Sequence, residues 1–115
     1  MATMTIGVDL AKNVFQLAVA DESWRIVERH RLSRSKFASF FVNRPSCHVV
    51  MEACGSSNHW ARVIAGFGHE VRLLPGQYVR AYVKRNKTDA ADAAALIEAA
   101  RCTVEQPLFE PDIAA

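Results

Sequence analysis

The sequence has little of what marks a secreted, membrane-bound or metal-stapled protein. Its three cysteines, Cys47, Cys54 and Cys102, are odd in number and lack CxxC spacing, which argues against a disulfide framework and against a structural zinc site. Each is expected to be a small buried or half-buried residue. The four histidines, His30, His48, His59 and His69, form no HxxxH or similar pair and read as scattered polar or capping residues. No apolar run approaches the ~20 residues of a membrane-spanning helix, so no membrane partner is expected. The N-terminal MATMTIGVDL lacks the basic region and cleavage site of a secretory signal, and a cytoplasmic protein is the simplest expectation. A large net charge is also missing: the balance is +2 at pH 7, too small to announce a nucleic-acid binder by itself.

What is present is an ordinary globular balance, half hydrophobic and 23% charged, in 115 residues, enough for one core and too few for two. The basic residues are clustered. Arg72, Arg80, Lys84, Arg85 and Lys87 fall in one stretch with Tyr78 and Tyr82 interleaved; Arg25, Arg29, Arg31, Arg34 and Lys36 form an earlier group. Such clusters are usually solvated faces, and they gain weight only beside a catalytic centre.

Hydrophobic periodicity lays out the elements. Thr3 to Asp9 is a short apolar strand with Ile6 and Val8 on one face, ending in an aspartate. Asn13 to Ala20 is a second strand, and Asp21-Glu22-Ser23 a polar turn. Trp24 to Leu32 alternates, with Trp24, Ile26 and Glu28 on one face, as suits the outer strand of an antiparallel meander. Ser33 or Ser35 can cap a helix carrying Phe37, Phe40 and Phe41 on one stripe, stopped by Asn43-Arg44-Pro45. Cys47 to Glu52 is a buried strand that also ends in an acid. Ser56 to Phe67 is a helix with Trp60, Val63, Ile64 and Phe67 inward, and Gly68 its stop. Glu70 to Leu74 is a strand, Gln77 to Val83 a short helix, and Thr88 opens an alanine-rich helix to about Arg101. Three strands followed by helix–strand–helix–strand–helix imply a mixed sheet covered by helices, the order of ribonuclease H-like domains. Ligands gather at the carboxyl ends of strands in such sheets, where Asp9 and Glu52 fall.

Asp89 and Asp92, three apart at the start of the last helix, share one face with Cβ atoms ~5–6 Å apart. Acids at helix starts are common because they favour the dipole, and polar residues often end strands. The four together say more. Hard divalent cations take oxygen ligands, usually a few carboxylates with water and phosphate, and two such ions ~3.5–4 Å apart serve phosphodiester cleavage. Lys84, Arg85 and Lys87 just upstream would offset phosphate charge beside them.

Asp9 in GVDLAKNVFQLAV, Glu52 in VVMEACGSS, and Asp89 and Asp92 in VKRNKTDAADAAAL resemble the DEDD transposases of bacterial insertion sequences, the group that includes the Piv-type DNA invertases. The resemblance reaches to about Phe109, and KTDAADA after LPGQYVRAYVKRN is its most specific part. It implies a RuvC-like fold, a mixed five-stranded sheet flanked by helices. It also implies Mg²⁺ or Mn²⁺ held by Asp9, Glu52, Asp89 and Asp92, and recombination that moves or inverts a DNA segment. Lys12 matches a position suited to a phosphate contact, with Arg80, Lys84, Arg85 and Lys87 as further nucleic-acid contacts, and Gly55 one suited to a tight strand-to-helix turn. Full-length members carry a second domain with a nucleophilic serine, some use a structured guide RNA, and homo-oligomers are expected of them. On this pattern residues 1–105 are the RuvC-like domain and 106–115 a tail leading toward a second domain. Ser56 and Ser57 have no partner base nearby and read as helix caps.

Two other readings use the same residues: a stand-alone ribonuclease H-like nuclease or junction resolvase, and a truncated fragment that binds nucleic acid without catalysis. An actin-like phosphotransferase half-domain, suggested by GVDLAK, lacks the Gly-rich adenosine-binding motif it would need.

Overall fold

Alternating apolar residues become strands where one flank must face a core, and five such segments here pair into one mixed sheet. A computed structural model describes residues 3–10, 13–80 and 89–105, with the side chains of 89–92 and 103–105 outside that description. The order is β1 (Thr5–Leu10), β2 (Val14–Ala20), β3 (Ile26–Ser33), α1 (Arg34–Val42), β4 (His48–Glu52), α2 (Ser57–Gly66), β5 (Glu70–Leu74), α3 (Gly76–Arg80) and α4 (Asp89–Glu105). Across the sheet the strands run β3-β2-β1-β4-β5. The β1–β2 and β2–β3 pairs are antiparallel, and β1–β4 and β4–β5 are parallel. The first strand is central, as the order of elements suggests. Parallel neighbours need a crossover, and α2 supplies the one between β4 and β5.

The two faces of the sheet differ in side-chain bulk. Ile6 and Val8 of β1, with Phe15, Leu17 and Val19 of β2, join Phe37 and Phe41 of α1 and Trp60 and Ile64 of α2 in the larger core. Its aromatic rings meet edge to face, Phe15–Phe37 at 4.6 Å and Phe37–Trp60 at 5.1 Å between centroids, a geometry the ring quadrupoles favour. The opposite face presents Ala18 and Ala20 of β2, which pack on Ala93 and Ile97 of α4. Val50 and Leu74 meet Val79, Leu96 and Ala99 beside them. Small residues let a helix lie close to a sheet, and α4 lies on this face with Val79 of α3 beside it. Among the described residues no helix is long and apolar enough to cross a membrane.

His69 is a structural brace between α1 and the sheet. It is 4% exposed, its Nε2–H donates to the Phe41 carbonyl at 2.8 Å, and its Nδ1 accepts the Cys47 backbone N–H at 3.2 Å. Both ring nitrogens are satisfied by a neutral imidazole, so this buried polar group costs little.

Several local expectations are corrected. Ser33 is the N-cap of α1 by position, yet neither it nor Ser56 of α2 makes a side-chain capping bond. Ser57 is fully buried within α2, where its hydroxyl accepts the Cys54 N–H and donates to the Cys54 carbonyl, both at 2.9 Å. Phe67 is 40% exposed rather than inward, because α2 ends at Gly66 and the chain turns out through Gly68 at φ +97°. Trp24 does not open the third strand. It sits at φ +65° in a turn whose N–H groups at Ser23 and Arg25 are held by the Asp21 carboxylate.

The third strand also breaks the expected alternation. Val19 pairs with Glu28 and Ala20 with Ile26, leaving Val27 as an extra residue, 48% exposed. Such a bulge reverses the side-chain phase. Ile26 therefore packs toward α4, while Glu28, His30 and Leu32 face the α1 side. The short helix expected over Gln77 to Val83 is seen as Gly76–Arg80; its remainder, with Tyr82 and Thr88, lies outside the described residues.

Burial pushes the Cys47 thiol up to about 11, a shift only partly offset by the nearby Arg44 charge, so at neutral pH it is a protonated, shielded thiol. Cys54 is exposed. Alkylation of the native protein at pH 8, mapped by mass spectrometry, is expected to label Cys54 well before Cys47. Equal labelling would contradict the buried placement of Cys47.

Candidate metal centre

Asp9 lies near the carboxyl end of β1 and Glu52 closes β4. The parallel register aligns Val8 with Met51, so Asp9 and Glu52 are the next residues on neighbouring strands, whose backbones run ~4.8 Å apart. Asp9 shares its face with Gly7, and Glu52 with Val50, because side chains alternate along a strand. Both acids therefore emerge on the α4 side of the sheet, and both are half-buried.

The space around Glu52 is shaped by α3. A Cβ added at Gly76 would collide with the Glu52 carboxylate and come within 3.0 Å of the Arg80 guanidinium, so the glycine leaves room for the acid. Arg80 Nη1 stands 3.7 Å from Glu52 Oε1, with side chains 68% and 42% exposed. An ion pair that loose and wet contributes little to stability and is easily exchanged. After β4 the Ala53 N–H bonds the Leu74 carbonyl at 2.8 Å, and the Ser57 bonds to Cys54 tie down the following turn. An added Cβ at Gly55 would meet nothing within 4 Å, and φ there is not positive, so this turn does not require the glycine.

Gly7 sets the height of α4. A Cβ on Gly7 would lie 2.5 Å from the Ala93 carbonyl oxygen and 3.2 Å from Leu96 Cβ. The helix backbone thus occupies the space a side chain would need. Farther along α4, Ala100 lines a cleft of about 370 Å³ with Thr3, Thr5 and Val50, toward the amino ends of β1 and β4. The helix therefore runs antiparallel to β1, and its N-terminal turn extends toward Asp9. From Ala93 back to position 89 is about 6 Å along a helix, and from Gly7 forward to Asp9 is about 7 Å along a strand, so position 89 comes level with Asp9. Positions 89 and 92 also precede Leu96 by seven and four residues, one stripe of a 3.6-residue helix.

The described residues thus bring Asp9 and Glu52 together and place Asp89 and Asp92 as backbone positions in the first turn of α4. Among the described residues no group of three or more His, Cys, Asp or Glu is assembled; the side chains of Asp89 and Asp92, and Lys12, Lys84, Arg85 and Lys87 entirely, lie outside them. Sequence reasoning missed Gly7 and Gly76, whose roles are to be absent volume. A glycine two residues before Asp9, on the same strand face, is the one signal that points to the first.

The fold is ribonuclease H-like and resembles that of RuvC. Thermus thermophilus RuvC superposes with a TM-score of 0.68 over 96% of this chain and 100% of its own, at 10% sequence identity. A second structure, T. thermophilus RuvC in complex with Holliday junction substrate, gives 0.65 over 96% and 99% at 11% identity. The sequence narrows the class. The chain is 50% identical over 95 residues to a Pseudomonas aeruginosa protein named "Probable family 20 transposase", covering 83% of this chain and 28% of that one. It is 44% identical over 95 residues to the transposase for insertion sequence element IS1111A of Coxiella burnetii, covering 83% and 26%. The chain is similar in sequence to part of these insertion-sequence transposases, and it spans about a quarter of the length of the curated relatives it matches. No protein-family model matches it.

The Gly7 contact yields a paired prediction. Gly7→Ala should destabilise the chain by about 1–3 kcal/mol through overpacking against α4. Gly66→Ala, where an added Cβ meets nothing within 4 Å, should be neutral or stabilising by up to about 1 kcal/mol. Urea midpoints for the two variants decide the matter, and equal midpoints would contradict the close approach.

Proposed function

We propose that this chain is the metal-binding part of an insertion-sequence DEDD transposase, with Asp9, Glu52, Asp89 and Asp92 holding Mg²⁺ or Mn²⁺ at a DNA phosphodiester. The observation that carries the reading is the arrival of Asp9 and Glu52 side by side at two strand ends, on the face where the N-terminal turn of α4 points. The donor set fits the ions: hard carboxylate oxygens on rigid strand ends, with no soft ligand among the four. When bound, such ions supply Lewis-acid stabilisation of the leaving oxygen and activation of the attacking one.

The chain's own residues have separable tasks. Asp9 and Glu52 would hold the cations, whose charge would offset the repulsion between the two carboxylates. Arg80, exposed and only loosely paired with Glu52, can exchange that carboxylate for a phosphate oxygen. Lys12, Lys84, Arg85 and Lys87 supply further charge to the DNA backbone. The relatives named as transposases, and the RuvC solved with a Holliday junction substrate, support DNA as the partner.

Calorimetric titration with Mn²⁺ tests the site. Wild-type chain should bind, and Asp9→Asn and Glu52→Gln should each weaken binding at least roughly tenfold, as expected when one charged ligand is removed. Unchanged affinity in both variants would refute the assignment.

A second reading, a self-sufficient junction nuclease, is favoured by the fact that the superposition covers 100% of RuvC. Incubating the chain with Mg²⁺ and a four-way DNA junction separates the two. A transposase part is expected to leave the junction uncut, and cleavage would favour the nuclease.

A further inference from the structure

The earlier basic cluster, Arg25 to Lys36, is divided by the fold. Arg34 begins α1 and lies over the Phe15 ring at 5.8 Å, on the α1 side of the sheet, and Lys36 is exposed on that helix. Arg29 and Arg31 go the other way. In the antiparallel register Arg31 pairs with Gln16, and Gln16 pairs with Asp9. Arg29 pairs with Ala18, which packs under α4. One row of the sheet, on one face, therefore reads Arg31, Gln16, Asp9, Glu52 from the β3 edge inward.

From this register we infer that Arg31 and Arg29, with Gln16 between them and the acids, form a phosphate-binding track along which a DNA strand reaches the Asp9–Glu52 centre from the β3 edge. The inference rests on the proposed function and adds the direction of approach and the residues that hold the strand.

Strand spacing places the Arg31 backbone ~10 Å from Asp9, and Arg29 ~7 Å from Arg31 along β3. With phosphates about 3.4 Å apart per nucleotide along a strand axis, the two arginines match phosphates roughly two steps apart, a few nucleotides from the centre. Both arginines are exposed on β3, an edge of the sheet among the described residues. Glu28, beside them on β3, faces the α1 side and bonds His30 at 2.8 Å. Gln16 is uncharged, so it neither quenches Arg31 as an acid would nor ties up Asp9 as a base would. Its amide can serve a sugar or phosphate oxygen. Edge strands often carry charge simply to block strand addition, but that purpose does not require both arginines on the metal-centre face and in register with it.

The test is fluorescence anisotropy of the 115-residue chain with labelled duplex DNA at fixed Mg²⁺ and varied NaCl. Arg29→Ala/Arg31→Ala should weaken binding roughly tenfold at low salt and flatten the slope of log K against log salt by about 1.8, two phosphate contacts' worth. Arg29→Lys/Arg31→Lys should keep the wild-type slope, and Lys36→Ala, on the opposite face, should keep both affinity and slope. Wild-type binding by the double alanine variant overturns the track. An equal loss in Lys36→Ala also overturns it, because domain-wide charge would then suffice. Mn²⁺ calorimetry on the same samples separates the causes: metal bound but DNA affinity unchanged refutes the track alone. Metal unbound by wild type refutes the centre beneath it. A matching far-ultraviolet circular dichroism spectrum and urea midpoint show that the alanine variant is folded, and the lysine pair keeps the result decisive if it is not.

Discussion

A missing side chain organises this domain. At Gly7 the Ala93 carbonyl of α4 occupies the volume that a Cβ would fill, and so the longest helix is held against the central strand at a fixed height and phase. Protein interiors tolerate little adjustment in such contacts. Two residues beyond Gly7 is Asp9, and one helical turn before Ala93 is position 89. A contact that looks like ordinary packing is therefore also what brings the first turn of α4 to the carboxyl end of β1.

The asymmetry of the sheet follows from the same constraint. Bulky residues, including Phe15, Phe37, Phe41 and Trp60, collect on the α1–α2 face and provide most of the hydrophobic core, which scales with apolar area removed from water. Where β1 and β2 meet α4, the sheet presents glycine and alanine. It gives up burial per residue in exchange for closeness, and its row of polar groups from Arg31 to Glu52 lies toward the strand ends, level with the first turn of α4. Stability and the polar site are thus assigned to opposite faces of one sheet.

Most of the fold was legible because its signals are periodic. The five strands, the inward Phe37, Phe41, Trp60 and Ile64, and the two strand-end acids all follow from alternation or helical spacing. What was not legible arises from events that have no period. The extra residue at Val27 reverses the face of everything after it, so Ile26 and Glu28 part company. Trp24 adopts a left-handed turn because the Asp21 carboxylate gathers two N–H groups there, and composition gives no hint of that. Phe67 is apolar yet turned out, since the helix ends one residue earlier than its pattern. The two basic clusters looked like single patches in sequence, and only pairing register shows that Arg29 and Arg31 separate from Arg34 and Lys36. The candidate site was half legible: the acids could be named from spacing and resemblance, but the glycines that make room for α4 and Glu52 could not.

The central claim is that two strand-end acids and the first turn of α4 converge on one cation site. Crystals of the chain soaked in Mn²⁺, with anomalous scattering recorded to locate the ions, test it most directly. The account predicts anomalous density bridging Asp9 and Glu52 and ligated by Asp89 or Asp92 from α4. Well-ordered carboxylates with manganese bound elsewhere, or none bound between β1 and β4, would contradict it.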